Sequence, residues 1–369
     1  MAHGRHVIRR GGAGVNEALR KEIAAEALVS CGEGIGWQAL LQKKPLRIAY
    51  LGGSVTQGYA DGEIRFATAF PAVVERDLRA RGAAIRTTVV AEPGMDSLIC
   101  GLLAEAEIIP HEPDLVFLEF AINDTTLRHN VHSFESLLRR MLELPSHPAV
   151  CLLIMRSASD YSCESFMLPM AEHYALPCID LRRGLAKPLS EGRMVWTDFA
   201  DSESHPHEAG HRLLADCVLH LLDTAAALSQ SAQKPLPEPW LDVPFLHMHR
   251  LTPGDYPEIE TQAPVVGTGE WFFSEAWELS ERPGCGMTIR MNCRAAVICF
   301  ETHHLEHYGS CRVTVDGKPA REPLRSNSIY GWGNPRHMIV LQAEEPGEHV
   351  IELMPFDGIF RVLSIGVTD

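Results

Sequence analysis

Arg47-Ile-Ala-Tyr-Leu-Gly-Gly-Ser54-Val-Thr-Gln-Gly58 is the stretch that decides how the chain is read. An apolar run leads straight into two glycines, a serine and a third glycine downstream. Short, near-continuous apolar runs are strands of parallel sheets, buried on both faces. Gly52 and Gly53 let the backbone turn sharply as it leaves the sheet. Such a turn holds the Ser54 hydroxyl at the carboxyl end of the strand, where open α/β sheets place their ligands. The stretch alone supports two readings: a serine nucleophile, or an ordinary strand-to-helix turn capped by a serine.

Outward from this stretch, strands and helices alternate. Helices are predicted at 71–81, 97–109, 131–144, 164–173 and 208–228, with strands at 46–52, 85–91, 114–120, 149–155 and 177–181. This alternation predicts an α/β domain with a doubly wound, parallel, five-stranded sheet over residues 46–230. Residues 1–45 read as a helical lead-in. Residues 231–245, with prolines at 235, 237, 239 and 244, read as a semi-rigid linker. From 246 to 369 the helical period vanishes and short strands recur between turn residues, Asp316-Gly317 being a strong hairpin signal. This part is predicted to be an all-β, jelly-roll-like sandwich, with Trp271, Phe272, Phe273 and Trp277 read as its core.

The totals exclude several function classes. The 369 residues are 46% hydrophobic and 22% charged, with a net charge of -15. No basic block offers a surface for a phosphate backbone or an anionic membrane, so neither nucleic acid nor membrane is expected as partner. No apolar run spans a bilayer, and no apolar leader segment follows the first residues. The ten cysteines are scattered, often in apolar runs, and form no CxxC pair. They read as buried free thiols of a cytoplasmic protein. A homo-oligomer is left open.

The residues that carry chemistry fall at one place. Ser54 follows the first strand, Gly94 the second, Asn123 the third, and His205 lies in the loop before the last helix. All four therefore belong to the same edge of one sheet. Acyl transfer needs such a set: a hydroxyl nucleophile, an imidazole to take its proton, and donors aimed at the developing oxyanion. A glycine N–H is approached closely, and an asparagine amide donates without itself being deprotonated.

These segments resemble the blocks of the SGNH hydrolases, the GDSL-type esterases, and in particular their carbohydrate acetyl esterase members. Gly52-Gly-Ser54 resembles the GDS block, with glycine in place of its aspartate. Ala121-Ile-Asn-Asp124 resembles the GxND block, with alanine for its first glycine. His205-Pro206 resembles the final block, and the resemblance covers about residues 46–225. It implies a flavodoxin-like fold, Ser54 as nucleophile, His205 as base, and Ser54, Gly94 and Asn123 as oxyanion donors, with no cofactor and no metal. The family's acid stands three residues before the histidine, where this chain has Ser202. Asp201 is taken as the orienting acid, with Glu203 or a backbone carbonyl as alternatives. Glu119 and Asp124 read as structural acids, the second pinning the loop that presents Asn123. His205, His207 and His211, and likewise His303, His304 and His307, have spacings a metal could use. The first run is already explained by the esterase block, and the second has no evident further ligand.

The function expected is therefore a serine esterase acting on short acyl groups, with O-acetyl groups of an oligosaccharide as the favoured substrate. The alternatives are a non-catalytic carbohydrate-binding protein on the same scaffold, and an O-acetyltransferase, lipase or thioesterase using the same machinery.

Overall fold

The computed structural model describes residues 15–60, 62–228 and 235–369. The first fourteen residues of the lead-in and positions 231–234 of the linker lie outside the described residues. Contacts divide the rest into two compact units. One holds the residues up to Glu92 with Pro113–Thr126 and Ser146–Pro237; the other holds Pro93–Glu112, Leu127–Pro145 and Glu238–Asp369.

The first unit contains helices α1 (Glu17–Ala27), α2 (Trp37–Leu41), α3 (Ser54–Gln57) and α4 (Phe70–Ala80). Its strands are β1 (Leu28–Cys31), β2 (Leu46–Gly52), β3 (Ile85–Ala91), β4 (Leu115–Glu119), β5 (Ala149–Ile154) and β6 (Pro177–Asp180). They form one sheet in the order β1-β6-β5-β4-β2-β3. The five strands from β2 to β6 are parallel, and their order is the flavodoxin-like one. The sixth strand was not expected. β1 adds to the edge antiparallel to β6, so the lead-in is part of the sheet. Its four residues, Leu-Val-Ser-Cys, are too short to show a period.

Register aligns the ends of the central strands: Gly52 lies opposite Ala91 on one side and Glu119 on the other. At the amino end of the same strands, Asp114 is 1% exposed. Burial alone would raise its carboxyl, but bonds from Arg47 and Lys43 hold it down to about 2. Between these ends β2 and β4 are apolar, with Tyr50 stacked on Phe117 and meeting the edge of Phe70.

One helix of the unit lies outside the prediction: it occupies Leu181–Ser190, within the loop expected after the fifth strand, and contains the weak helix formers Gly184 and Pro188. Gly184 is there for packing: a Cβ would lie 2.8 Å from Ala27 Cβ and 2.9 Å from the Ile23 carbonyl of α1. The closing helix runs from Glu208 to Ala226 and buries Leu213, Leu214, Val218 and Leu222, as its apolar period requires.

The second unit is an antiparallel all-β domain together with two helices, α5 (Ser97–Leu103) and α6 (Arg128–Leu142). Both helices were expected within the α/β segment. Glu135 of α6 accepts from the Trp240 and Leu241 N–H groups at 2.5 and 2.8 Å, and Arg140 donates to the Met248 carbonyl at 2.9 Å. The sheet is dominated by three strands: Met287–His303, Trp332–Phe356 and Phe360–Thr368. Several strands predicted as separate are continuous here. Register shifts at Cys293/Ala295, Ala296/Val297 and Glu301/His303 bend the first strand without breaking it. The Asp316-Gly317 hairpin forms, with both residues at positive φ and Val315 opposite Lys318. Trp277 and Phe273 are core, but Trp271 is 64% exposed.

Candidate active site

β2 ends at Gly52, and α3 begins two residues later with Ser54, which is only 6% exposed. The helix lasts one turn. Gly58, at φ 88, ends it by returning its N–H to the Ser54 and Val55 carbonyls. The glycines before Ser54 serve close approach more than the turn itself. A Cβ on Gly52 would lie 2.2 Å from Thr56 Oγ1 and 2.8 Å from the Glu119 carbonyl oxygen. One on Gly53 would lie 2.4 Å from Asn123 Oδ1. The Gly53 side of the turn is thus covered by the Asn123 amide.

Asn123 follows β4 by four residues, and its N–H bonds the Phe120 carbonyl at 3.0 Å. Asp124, 1% exposed, bonds the same carbonyl through its N–H at 2.9 Å. The Tyr161 hydroxyl donates to the Asp124 carbonyl at 2.7 Å, so the loop is fixed from both sides. Glu119 is buried at the end of β4 and accepts from the Thr56 hydroxyl at 3.0 Å. Burial pushes its carboxyl up to about 8, against bonds from Thr56 and Gly53 that favour the charged form.

His205 Nε2 lies 2.9 Å from Ser54 Oγ. The edge of Tyr59 meets the imidazole, with ring centroids 4.9 Å apart. Burial lowers the pKa of His205 below its ordinary value, which favours the neutral ring, the form that accepts a proton.

The other ring nitrogen has an unexpected neighbour. Ser202 Oγ is 3.2 Å from His205 Nδ1 and also accepts the His205 backbone N–H at 3.1 Å. Asp201, the acid expected here, is exposed and makes no hydrogen bond or ion pair with His205 among the described residues. The reason is local geometry: the residue three before the histidine folds back onto it, and its predecessor faces outward. Glu203, the alternative, accepts from the Ser159 N–H at 2.9 Å and so fastens the loop elsewhere. Trp196 Nε1 donates to the Ser202 carbonyl at 2.7 Å. Ser202 carried a signal in the sequence, its place three residues before His205, whereas Tyr59 and Trp196 carried none.

Gly94 follows the end of β3 by three residues and has φ +80, with open space where a Cβ would stand. Here glycine answers a backbone requirement. The remaining histidines have structural partners. His207 Nδ1 accepts from the Ala209 and Gly210 N–H groups and caps the last helix. His211 is buried, stacked on Phe70, and burial lowers it to about 4. His303 stacks on Tyr308, and His304 Nδ1 lies 2.8 Å from the Gly331 carbonyl. Among the described residues no three His, Cys, Asp or Glu side chains come together as a metal site.

Residues 50–213 match the model of the GDSL-like Lipase/Acylhydrolase family. Over this segment the chain is similar to that family. Among solved structures, it is similar to a two-domain esterase (CEX) active on acetylated mannans, at 19% identity and a TM-score of 0.82, over 94% of this chain and 99% of that one. The same esterase co-crystallised with mannopentaose aligns at 19% identity and a TM-score of 0.81, over 94% of this chain and 98% of that one. At that identity the likeness establishes the fold of the chain and nothing finer. No curated protein matches in sequence.

Proposed function

We propose that the GDSL-type domain is a serine esterase that removes short acyl groups, in the first instance O-acetyl groups of an oligosaccharide. The observation that carries the mechanism is the 2.9 Å contact between Ser54 Oγ and His205 Nε2. Nδ1–H donates to Ser202 Oγ, which leaves Nε2 free to accept. Ser54 Oγ attacks the ester carbonyl as Nε2 takes its proton. The negative oxygen of the tetrahedral intermediate is held by the Ser54 N–H, the Asn123 amide and the Gly94 N–H. The imidazolium then protonates the departing sugar oxygen. Water, deprotonated by the same nitrogen, releases the acid and restores Ser54.

Gly94 is included because β3 and β2 end in register and Gly94 has the backbone freedom a close donor needs. Ser202 replaces Asp201 as the group that orients the imidazole. The preference for acetylated sugar rests on the fold shared with an esterase active on acetylated mannans. A cytoplasmic site of action is supported by ten free cysteines, nine of them buried. No helix among the described residues is long and apolar enough to cross a membrane.

The test is release of acetate from acetylated manno-oligosaccharide and of p-nitrophenol from its acetate ester. Ser54→Ala is expected to lower kcat by ~10⁴-fold or more, to the background of binding alone. Activity that survives the change refutes the mechanism, and a preference for long-chain esters refutes the sugar. The missing carboxylate at Nδ1 favours one other reading, a carbohydrate-binding protein that has kept the scaffold. A fluorophosphonate probe separates the two, since only an activated Ser54 is labelled.

A further inference from the structure

We propose that Glu119 is a positioning residue for the nucleophile: from the end of β4 it holds Thr56, and through it the single helical turn that aims Ser54 Oγ at His205. This rests on the esterase reading above and adds a residue with no counterpart among the expected catalytic groups.

A carboxyl at 1% exposure is a costly choice for a strand end, where an apolar side chain would pack without penalty. Among the described residues its Oε1 has no hydrogen-bond partner. What its Oε2 holds is specific. The Thr56 hydroxyl donates to it at 3.0 Å, and the Gly53 and Thr56 N–H groups favour its charged form. Gly53 and Thr56 stand on either side of Ser54 in the chain. Gly53, at the N-cap of α3, has no side chain with which to bond the open N–H groups of that turn. Glu119 serves that need from the neighbouring strand.

The fit involves Gly52 as well. A Cβ there would lie 2.2 Å from Thr56 Oγ1, so the strand must end in glycine for the hydroxyl to stand where Glu119 receives it. Gly52 and Glu119 are register partners across β2 and β4. Glycine, threonine and glutamate thus form one unit beneath the nucleophile. A helix of four residues has no length of its own to keep it formed, so what fixes Ser54 must come from outside it.

The experiment measures kcat and KM per active site titrated with a fluorophosphonate, beside Tm, for Thr56→Val, Thr56→Ser and Glu119→Gln, with Ser54→Ala assayed per mole of folded protein. Thr56→Val keeps the volume and removes the hydroxyl. It should lower kcat by ~10-fold or more with KM unchanged, as misplacement of a reacting atom does. Thr56→Ser, which restores the hydroxyl, should recover most of that loss. Glu119→Gln keeps an acceptor for Thr56 and should fall between the two. A residue that only supports folding would change Tm and the number of titratable sites while kcat per site stayed at the wild-type value. That result in Thr56→Val and Glu119→Gln overturns the proposal. The esterase reading fails by a different result, activity retained in Ser54→Ala.

Discussion

The two proposed partners of the proton transfer are built in opposite ways. The Ser54 turn is buried, ends a central strand, and has a buried carboxyl beneath it and an amide packed on its second glycine. The loop carrying His205 is open to solvent from Asp201 to Glu203, and the neighbour of Nδ1 among the described residues is a hydroxyl. A carboxyl group is present in both regions but in different places: Glu119 lies under the Ser54 turn, while among the described residues neither Asp201 nor Glu203 bonds His205. Acid behind the histidine would steady the imidazolium; acid behind the serine fixes geometry and leaves the imidazolium to its surroundings. The Ser54 side is thus enclosed and the His205 loop open.

The largest expected effect tests the enclosed side. Gly53→Ala places a Cβ 2.4 Å from Asn123 Oδ1, and backbone on both sides is held, so the amide must move. kcat/KM on p-nitrophenyl acetate should fall by ~10²-fold, the scale of a misplacement near one ångström. A variant with wild-type kinetics would mean that the amide is not held against the turn.

A smaller effect, of opposite sign, tests the other side. Ser202→Asp puts a carboxylate where the hydroxyl now sits 3.2 Å from Nδ1. It should raise kcat several-fold, and it should move the acidic limb of the pH profile upward, because a neighbouring negative charge favours the imidazolium. In the wild type, burial depresses His205, so that limb should lie below about 6.5, the ordinary histidine value. Ser202→Ala leaves Nδ1 without its partner and should lower kcat by ~10-fold, with the limb little moved. A pH profile identical in wild type and Ser202→Asp would show that position 202 does not face the ring in solution.

The contrast also explains what could be read from residues alone. Gly52, Gly53 and Ser54 follow an apolar run whose period defines the strand, and Asn123 follows another, so their common sheet edge was readable before any coordinates. Such positions are dictated by backbone register, which pattern reveals. Glu119 was readable as a buried acid but its partner Thr56 was not, because the two are 63 residues apart and meet only once β2 and β4 pair. β1 was missed since four residues carry no period, and the helix after β6 was missed because Gly184, needed for contact with α1, looks like a breaker. The histidine loop has neither period nor register. There, the expected acid is Asp201, whereas the turn that returns Ser202 to the His205 N–H brings a hydroxyl to the ring.

The smallest expected effect follows from that turn. Asp201→Asn removes a charge from an exposed side chain that makes no bond to His205, at a position where solvent screens it. kcat and the acidic limb should stay within ~2-fold and a few tenths of a pH unit of the wild type, the range of a solvated surface charge. A loss of ~10²-fold or more would instead assign Asp201 to Nδ1 during turnover, as a loop that rearranges when substrate binds would allow. Combining Asp201→Asn with Ser202→Ala sharpens the result. If Ser202 alone orients the ring, the double variant behaves as Ser202→Ala. If the two exchange places, the losses exceed the sum of the single ones, because each then covers for the other.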